Sequence, residues 1–298
     1  MISDQQTAVN EPGPIALIAA LQEEVSYIAR ILEGRCRMQD PGGSWESGSL
    51  EGRPIILARS GIGHQAARAC ADRIIGDGKP SCVIALGFGG GLQEALRPGD
   101  LVIAAEVHDP PPPDGEGPRI WEADGGLLSA AWRAAGERLL PSGGAGAGGI
   151  AGQRIFSGRI STTRAMLHSP AAKRAFADRH GALAVDMESS GACRSANVHG
   201  TPILCLRAVV DDVDFEMPPE IAGLLTPEGQ VRPFAALGTF LRKPSIAAVL
   251  PELRRRSKAA GEALARFLRL LVPLLPMGPA PSPHQASSAD RAHHGNRG

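Results

Sequence analysis

Residues 81–91 read Ser-Cys-Val-Ile-Ala-Leu-Gly-Phe-Gly-Gly-Gly, an apolar run that empties into glycine. Such a run, bounded by glycine and without polar alternation, is the pattern of a strand buried on both faces. Runs of the same kind recur along the chain: Pro14–Leu21 (PIALIAAL), Arg53–Ser60 (RPIILARS), Asp100–Ala105 (DLVIAA), Ala182–Val185 and Pro202–Val209 (PILCLRAV). Helical patterns separate them, over Glu23–Leu32, from Gly61-Ile62-Gly63 through Ile75, and over Glu188–Asn197. Doubly buried strands alternating with helices predict a three-layer α/β/α fold around a mostly parallel, mixed and twisted central sheet.

The rest of the chain sets the boundaries of that domain. Residues 1–13 are polar and acidic, without an apolar signal region, and are expected to be a disordered lead. One domain is expected over 14–275, and 276–298 form a low-complexity tail. The tail histidines His284, His293 and His294 are read as solvated, not as metal ligands. His108–Pro118, with Pro110 to Pro113 in succession, and the glycine-rich Pro141–Gly152 are read as loops.

Charge and cysteine usage exclude several classes. Lys and Arg number 31, as do Asp and Glu, so the formal net charge is zero and nothing suggests a nucleic-acid partner. The five cysteines form no C-x-x-C pair; Cys82 and Cys205 sit in apolar runs as small buried hydrophobes. No uncharged apolar stretch is long enough to span a bilayer, so the expected compartment is the cytoplasm. In the last helical segment, Pro251–Leu271, Leu253, Ser257, Ala260, Leu264, Phe267 and Leu271 share one face and arginines occupy much of the rest. That face packs on the sheet in the plain reading; a peripheral contact with an anionic membrane is the sharper one.

Two glycine segments bear on ligands. Gly61-Ile62-Gly63-His64-Gln65-Ala66 fits the dinucleotide fingerprint, but the acidic residue expected at the end of the next strand is missing, as that strand runs into Gly87. A nicotinamide enzyme is therefore disfavoured, and no cofactor is called for. The run Gly87 to Gly91 lets backbone approach a ligand at the carboxyl end of a strand.

Four pieces then occur in order: Ile15–Val25 (IALIAALQEEV), Ser60–Ala67 (SGIGHQAA), Val185–Glu188 (VDME) and Arg207–Asp211 (RAVVD). Together they resemble the superfamily of nucleoside phosphorylases and methylthioadenosine/adenosylhomocysteine nucleosidases, over roughly residues 14–213 and the last helix. The GFGGG loop, the Val-Val-Asp-Asp stretch and Arg242-Lys243-Pro244 resemble most the hopanoid-associated phosphorylases, which act on adenosylhopane.

The resemblance implies a nucleoside phosphorylase-like fold, with residues 214–245 a family-specific insertion, and cleavage of the N-glycosidic bond of a purine nucleoside. Asp211 would be the acid that protonates the departing base, with a pKa raised by an apolar site. Glu24 would activate a water. Glu188 would hold the ribose 2′- and 3′-hydroxyls, with Met187 packing beneath the sugar. Gly87, Phe88, Gly89, Ile62, Leu21 and Ser161 would line the nucleoside site, Ser161 or Thr162 replacing the aromatic that stacks on the purine. The structural alternatives are ordinary ones: first-turn helix acids for Glu23 and Glu24, a helix-terminal acid for Glu188, a cap or surface role for Asp211.

The chain departs from the family where phosphate is held. Phe88 stands in place of the phosphate-binding serine, and the first loop lacks the family's glycine and arginine. Arg59, His64 and Arg164 are the conceivable substitutes, so phosphate stays open as a co-substrate. With few aromatic residues, the 5′ pocket is expected to be wide and aliphatic, suiting a bulky or lipid-linked 5′ group. The resemblance also implies a homo-oligomer in which a neighbour's loop closes that pocket, His108–Pro118 being the candidate. A soluble-substrate nucleosidase and a non-catalytic nucleoside-binding protein are the competing readings.

Overall fold

The computed structural model describes residues 12–40, 43–111, 117–136, 139–140, 153–218 and 244–277. Among the described residues, eleven strands form one mixed sheet. They are β1 (Ile15–Ala19), β2 (Glu33–Asp40), β3 (Gly43–Leu50), β4 (Arg53–Arg59), β5 (Cys82–Gly91), β6 (Leu101–Asp109), β7 (Arg119–Glu122), β8 (Leu139–Leu140), β9 (Ile155–Thr162), β10 (Ala184–Asp186) and β11 (Ile203–Asp211). The α-helices among the described residues are α1 (Gln22–Ala29), α2 (His64–Gly78), α3 (Gly125–Ala135), α4 (Pro170–His180), α5 (Ser189–His199) and α6 (Pro244–Leu271).

The strand order is β10-β9-β6-β11-β5-β1-β4-β3-β2. β4, β1, β5 and β11 are mutually parallel. β10 lies parallel to β9 and also pairs antiparallel with the far end of β5, so that half of the sheet closes into a ring. The period of two along each strand sorts the apolar residues onto two faces. Leu17, Ile84 and Leu206 pack against Leu264 and Phe267 of α6 on one side. Ile18, Val83 and Cys205 pack against Ile74 of α2 and Ala192 of α5 on the other. The three-layer α/β/α expectation is met.

Several local expectations are corrected. The glycines 87–91 are not a loop but the second half of β5, paired with β11 and β10. Their bare backbone leaves room for Glu24, Val185, Arg207 and Asp211 to pack against the strand. His108 and Asp109 likewise end β6, paired with β7, and residues 112–116 of that presumed loop lie outside the described residues. The last helix begins at Pro244 with Pro251 inside it, not at its start. The helix expected over Glu188–Asn197 runs over Ser189–His199, with Glu188 as its N-cap. The loop 141–152, most of the insertion 214–245 and the tail histidines also lie outside the described residues. Cys70, Cys82, Cys193 and Cys205 are buried free thiols, and Cys36 is exposed.

Candidate active site

A cavity of about 670 Å³ opens at the carboxyl ends of β1, β5, β10 and β11, the end at which ligands bind in open α/β sheets. Glu24, Glu188 and Asp211 all line it, from three separate parts of the chain.

Glu24 sits in the first turn of α1 and is 3% exposed. One carboxylate oxygen accepts the amides of Ala20 and Leu21, each at 2.8 Å, and the other accepts the amide of Phe88 at 2.6 Å. Burial raises its pKa, while those three amides and the nearby Arg207 oppose the rise. The carboxylate lies directly over Gly87, where a Cβ would stand 2.7 Å from Oε1. Only glycine at position 87 lets the acid sit there. That glycine supports Glu24 and does not line the main cavity, whereas Phe88 and Gly89 do.

Glu188 is fixed by the amide of Gly63, which donates to Oε1 at 2.8 Å, and by the amide of Met187 at 3.2 Å. Gly63 has φ +96°, a conformation that side chains strain against. The fingerprint-like glycine loop thus addresses its amide to a carboxylate of its own chain, where a dinucleotide site would need it for phosphate. Burial and the neighbouring Asp186 push the pKa of Glu188 up to about 7.

Behind these two acids lies Arg207, 2% exposed. Its Nε donates to Asp186 at 2.6 Å and its Nη1 to the carbonyl of Leu206 at 3.0 Å. Asp186 also accepts the hydroxyl of Thr162 at 2.9 Å, the amide of Ser189 and the hydroxyl of Ser189. A second, enclosed space of about 10 Å³ lies among Glu24, Ser60, Glu188 and Arg207. It is at the lower limit for one water and far below what phosphate needs.

Asp211 ends β11 and is 7% exposed. It forms an ion pair with Lys173 of α4, itself 1% exposed. The same ammonium donates to the carbonyls of Asp212 at 2.8 Å and Phe215 at 3.0 Å. Burial raises the pKa of Asp211, and Lys173 opposes it. Asp212, the adjacent acid, points elsewhere: it accepts Arg256 of α6 at 2.8 Å and is absent from the cavity lining.

The motifs that carried the resemblance are thus gathered at one site. Residues 14–236 match the phosphorylase superfamily. The chain belongs to the phosphorylase superfamily. Among curated relatives of this superfamily member is a 5′-methylthioadenosine/S-adenosylhomocysteine nucleosidase of Lysinibacillus sphaericus, 30% identical over 201 residues, 66% of this chain and 85% of that protein. The nucleosidase of the same name from Anoxybacillus flavithermus is 29% identical over 202 residues, 66% of this chain and 84% of that protein. Among solved structures, the Neisseria meningitidis nucleosidase in complex with methylthio-immucillin-A has a TM-score of 0.66 at 22% identity, covering 87% of this chain and 98% of its own. Futalosine hydrolase of Helicobacter pylori has a TM-score of 0.65 at 18% identity, covering 88% and 98%. These two likenesses bear on the fold of the superfamily member, which they share.

Within this superfamily member, Leu21, Ile62, Phe88, Gly89, Met187, Glu188, Glu24 and Asp211 all face the cavity. Ser161 does not. It is fully buried on β9, its hydroxyl 3.2 Å from Nδ1 of His108, and the neighbouring Thr162 is buried as well, its hydroxyl on Asp186. Thr163, just past the strand, lines the cavity instead. Arg59, His64 and Arg164 do not reach it either; Arg59 donates to Gln22 at 2.7 Å and Arg164 to Asp109 at 2.7 Å. Lys173 and Thr163 were not foreseen from the sequence, and Arg207 had no role assigned to it. Leu253, Arg254 and Ser257 of α6 also line the cavity, so the start of that apolar face covers the site. Much of the basic face is paired with acids, Arg255 and Arg256 with Glu252 and Arg269 with Glu51. No helix among the described residues is long and apolar enough to cross a membrane.

Proposed function

We propose that this protein is a purine nucleosidase of the methylthioadenosine/adenosylhomocysteine type, hydrolysing the N-glycosidic bond and releasing adenine. The observation that carries the reading is the placement of three carboxylates on one cavity, with room for a single water among Glu24, Glu188 and Arg207. Cleaving this bond creates cationic character on the ribose and negative charge on the base. Asp211 is suited to supply the proton to the base, since burial keeps its carboxyl protonated to a higher pH than usual. Ionised Glu188 is suited to accept two sugar hydroxyls and to favour the cationic ribose. Glu24 is suited to take the proton of the attacking water.

Water is favoured over phosphate on chemical grounds. Arg207 is committed to Asp186, the three donors of Lys173 are taken by Asp211, Asp212 and Phe215, and Arg254, the other cation of the cavity wall, lies near Glu23. Phe88 presents a ring where the phosphorylases present a hydroxyl. The cleanest test is adenine release from methylthioadenosine in phosphate-free buffer. Equal rates with and without phosphate are expected; a strict phosphate requirement would reject hydrolysis.

One observation favours a second reading, an adenosine with a bulky apolar 5′ group such as adenosylhopane. The cavity carries Met166, Leu167, Met217, Leu250 and Leu253, more aliphatic surface than a methylthio group fills. Comparing kcat/KM for methylthioadenosine and for a 5′-alkyl adenosine of long chain decides between the two. A preference for the short substrate removes the lipid reading and leaves the first intact.

A further inference from the structure

Asp211 alone among the three acids has a full cation against its carboxylate. Lys173 reaches it from α4, with its ammonium enclosed and 1% of the residue exposed. A lysine is almost never buried this completely without a definite partner. Its three hydrogens have three acceptors: the Asp211 carboxylate and the carbonyls of Asp212 and Phe215. The lysine is therefore both a charge on the acid and a strap on the chain that follows it. That chain is tied down twice more, by the amide of Met217 donating to the carbonyl of His168 at 2.8 Å and by Arg256 on Asp212.

We propose that Lys173 is a positioning residue for base release, fixing Asp211 and stabilising the carboxylate left when Asp211 gives its proton to the departing base. The inference rests on the nucleosidase reading above. In the step, the O–H bond of Asp211 breaks and an N–H bond forms on the purine. The electron pair of the breaking glycosidic bond goes to the base, and the new carboxylate faces an ammonium already in place. A preorganised charge of this kind stabilises the developing anion without further reorganisation.

The arrangement also sets a pH range. The charged groups that face Asp211 are Lys173 from α4, Asp212 from the chain after β11 and Arg256 from α6; β5 presents the backbone of Gly90. Burial raises the carboxyl and Lys173 draws it back, so Asp211 gives up its proton at a lower pH than burial alone would allow. The basic limb of the activity profile is where that loss is felt.

The experiment is the pH dependence of adenine release by wild type, Lys173→Gln and Lys173→Arg, with melting temperatures for each. Glutamine keeps hydrogen-bond donors for the strap but removes the charge; arginine keeps the charge. In Lys173→Gln the basic limb is expected to move up by about 1–3 in pH, with kcat lowered by about tenfold or more. Lys173→Arg is expected to keep the wild-type limb. A Lys173→Gln profile that superimposes on wild type overturns the proposal, as does a Lys173→Arg limb displaced as far as that of the glutamine variant. If the glutamine variant does not fold, a Lys173→Arg limb displaced from wild type by about 1 or more in pH overturns the proposal. No adenine release by wild type from any 5′-substituted adenosine would instead reject the nucleosidase reading.

Discussion

The amide of Gly63 holds the carboxylate of Glu188 across 125 residues of sequence. Two motifs that are separate in the chain, a glycine turn before α2 and the Met-Glu pair before α5, are thereby one device. The turn aims a backbone dipole at the acid, and the acid faces the cavity in which the proposed function places the sugar. Removing the acid is expected to disable the sugar grip without disturbing the fold. Glu188→Gln should lower kcat/KM by about 10²–10³-fold. Its activity on 2′- or 3′-deoxy substrates should fall far less than that of wild type, and a uniform loss on all substrates would contradict the role.

The pKa of Glu188, pushed up to about 7, gives a second measurement. Ionised Glu188 is the form proposed to accept the sugar hydroxyls, so kcat/KM should rise as pH increases through about 7, up to the basic limb set by Asp211. Stability runs the other way. A carboxyl whose folded pKa is raised favours the fold below its unfolded pKa, near 4.5, and that advantage is lost as pH rises through about 7. The ligand-free protein should therefore melt at a lower temperature at pH 8 than at pH 5.5 from this source, and Glu188→Gln should shrink the difference. A wild-type kcat/KM that is flat from pH 5.5 to 8 would contradict this account.

Gly87→Ala tests the seat of Glu24. The new methyl would stand 2.7 Å from a carboxylate oxygen and must displace it. Displacing a buried acid with three amide partners should cost about 1–3 kcal/mol of stability and about 10²-fold in kcat. Wild-type turnover in this variant, measured below its melting temperature, would mean that Glu24 need not be held where it is.

Asp211→Asn should slow adenine release by about 10²–10⁴-fold. It should also destabilise the protein, because Lys173 is left as a buried ammonium without its anion, a loss of about 3–5 kcal/mol. Urea unfolding separates the two effects. An asparagine variant with unchanged stability would contradict the buried pair.

Arg207→Met removes the cation that Asp186 faces at 2.6 Å, with Glu188 and Glu24 nearby. A loss of about 3–5 kcal/mol is expected in urea unfolding, since Asp186 would be left charged in the interior. A variant within about 1 kcal/mol of wild type would show that the pair is dispensable.

Much of the fold was legible in the sequence because its central strands are buried on both faces. β1, β4, β5 and β11 announce themselves as apolar runs. β2 and β3 do not: Glu33–Asp40 and Gly43–Leu50 are polar hairpin strands at the edge of the sheet, whose pairing is decided by β4 and not by their composition. The glycine half of β5 was misjudged for a related reason. Glycine is a poor strand former, and what keeps it extended is pairing on both sides, which no local pattern reveals. At the site, the acids could be located through motifs, but which neighbours they meet could not. A single lysine within Pro170–His180 looks like any solvent-facing helical residue, and only the fold turns it inward onto Asp211. Ser161 shows the opposite failure: β9 is paired on both sides and buries Ser161 and Thr162 alike, so the cavity is reached only at Thr163, past the end of the strand.

The ring formed by β5, β10, β9, β6 and β11 carries one more consequence. Its closing piece is β10, three residues long, clasped between β9 and the glycine end of β5. Asp186 belongs to that piece and Glu188 stands two residues beyond it. Contacts so distant along the chain form late in folding, because they must bear the entropy of closing long loops. A species with the large sheet in place but the ring still open would give a nearly native circular dichroism spectrum and bind no nucleoside. Refolding followed by recovered enzyme activity should accordingly lag behind refolding followed by secondary structure, and added nucleoside should act as a latch on the last closure.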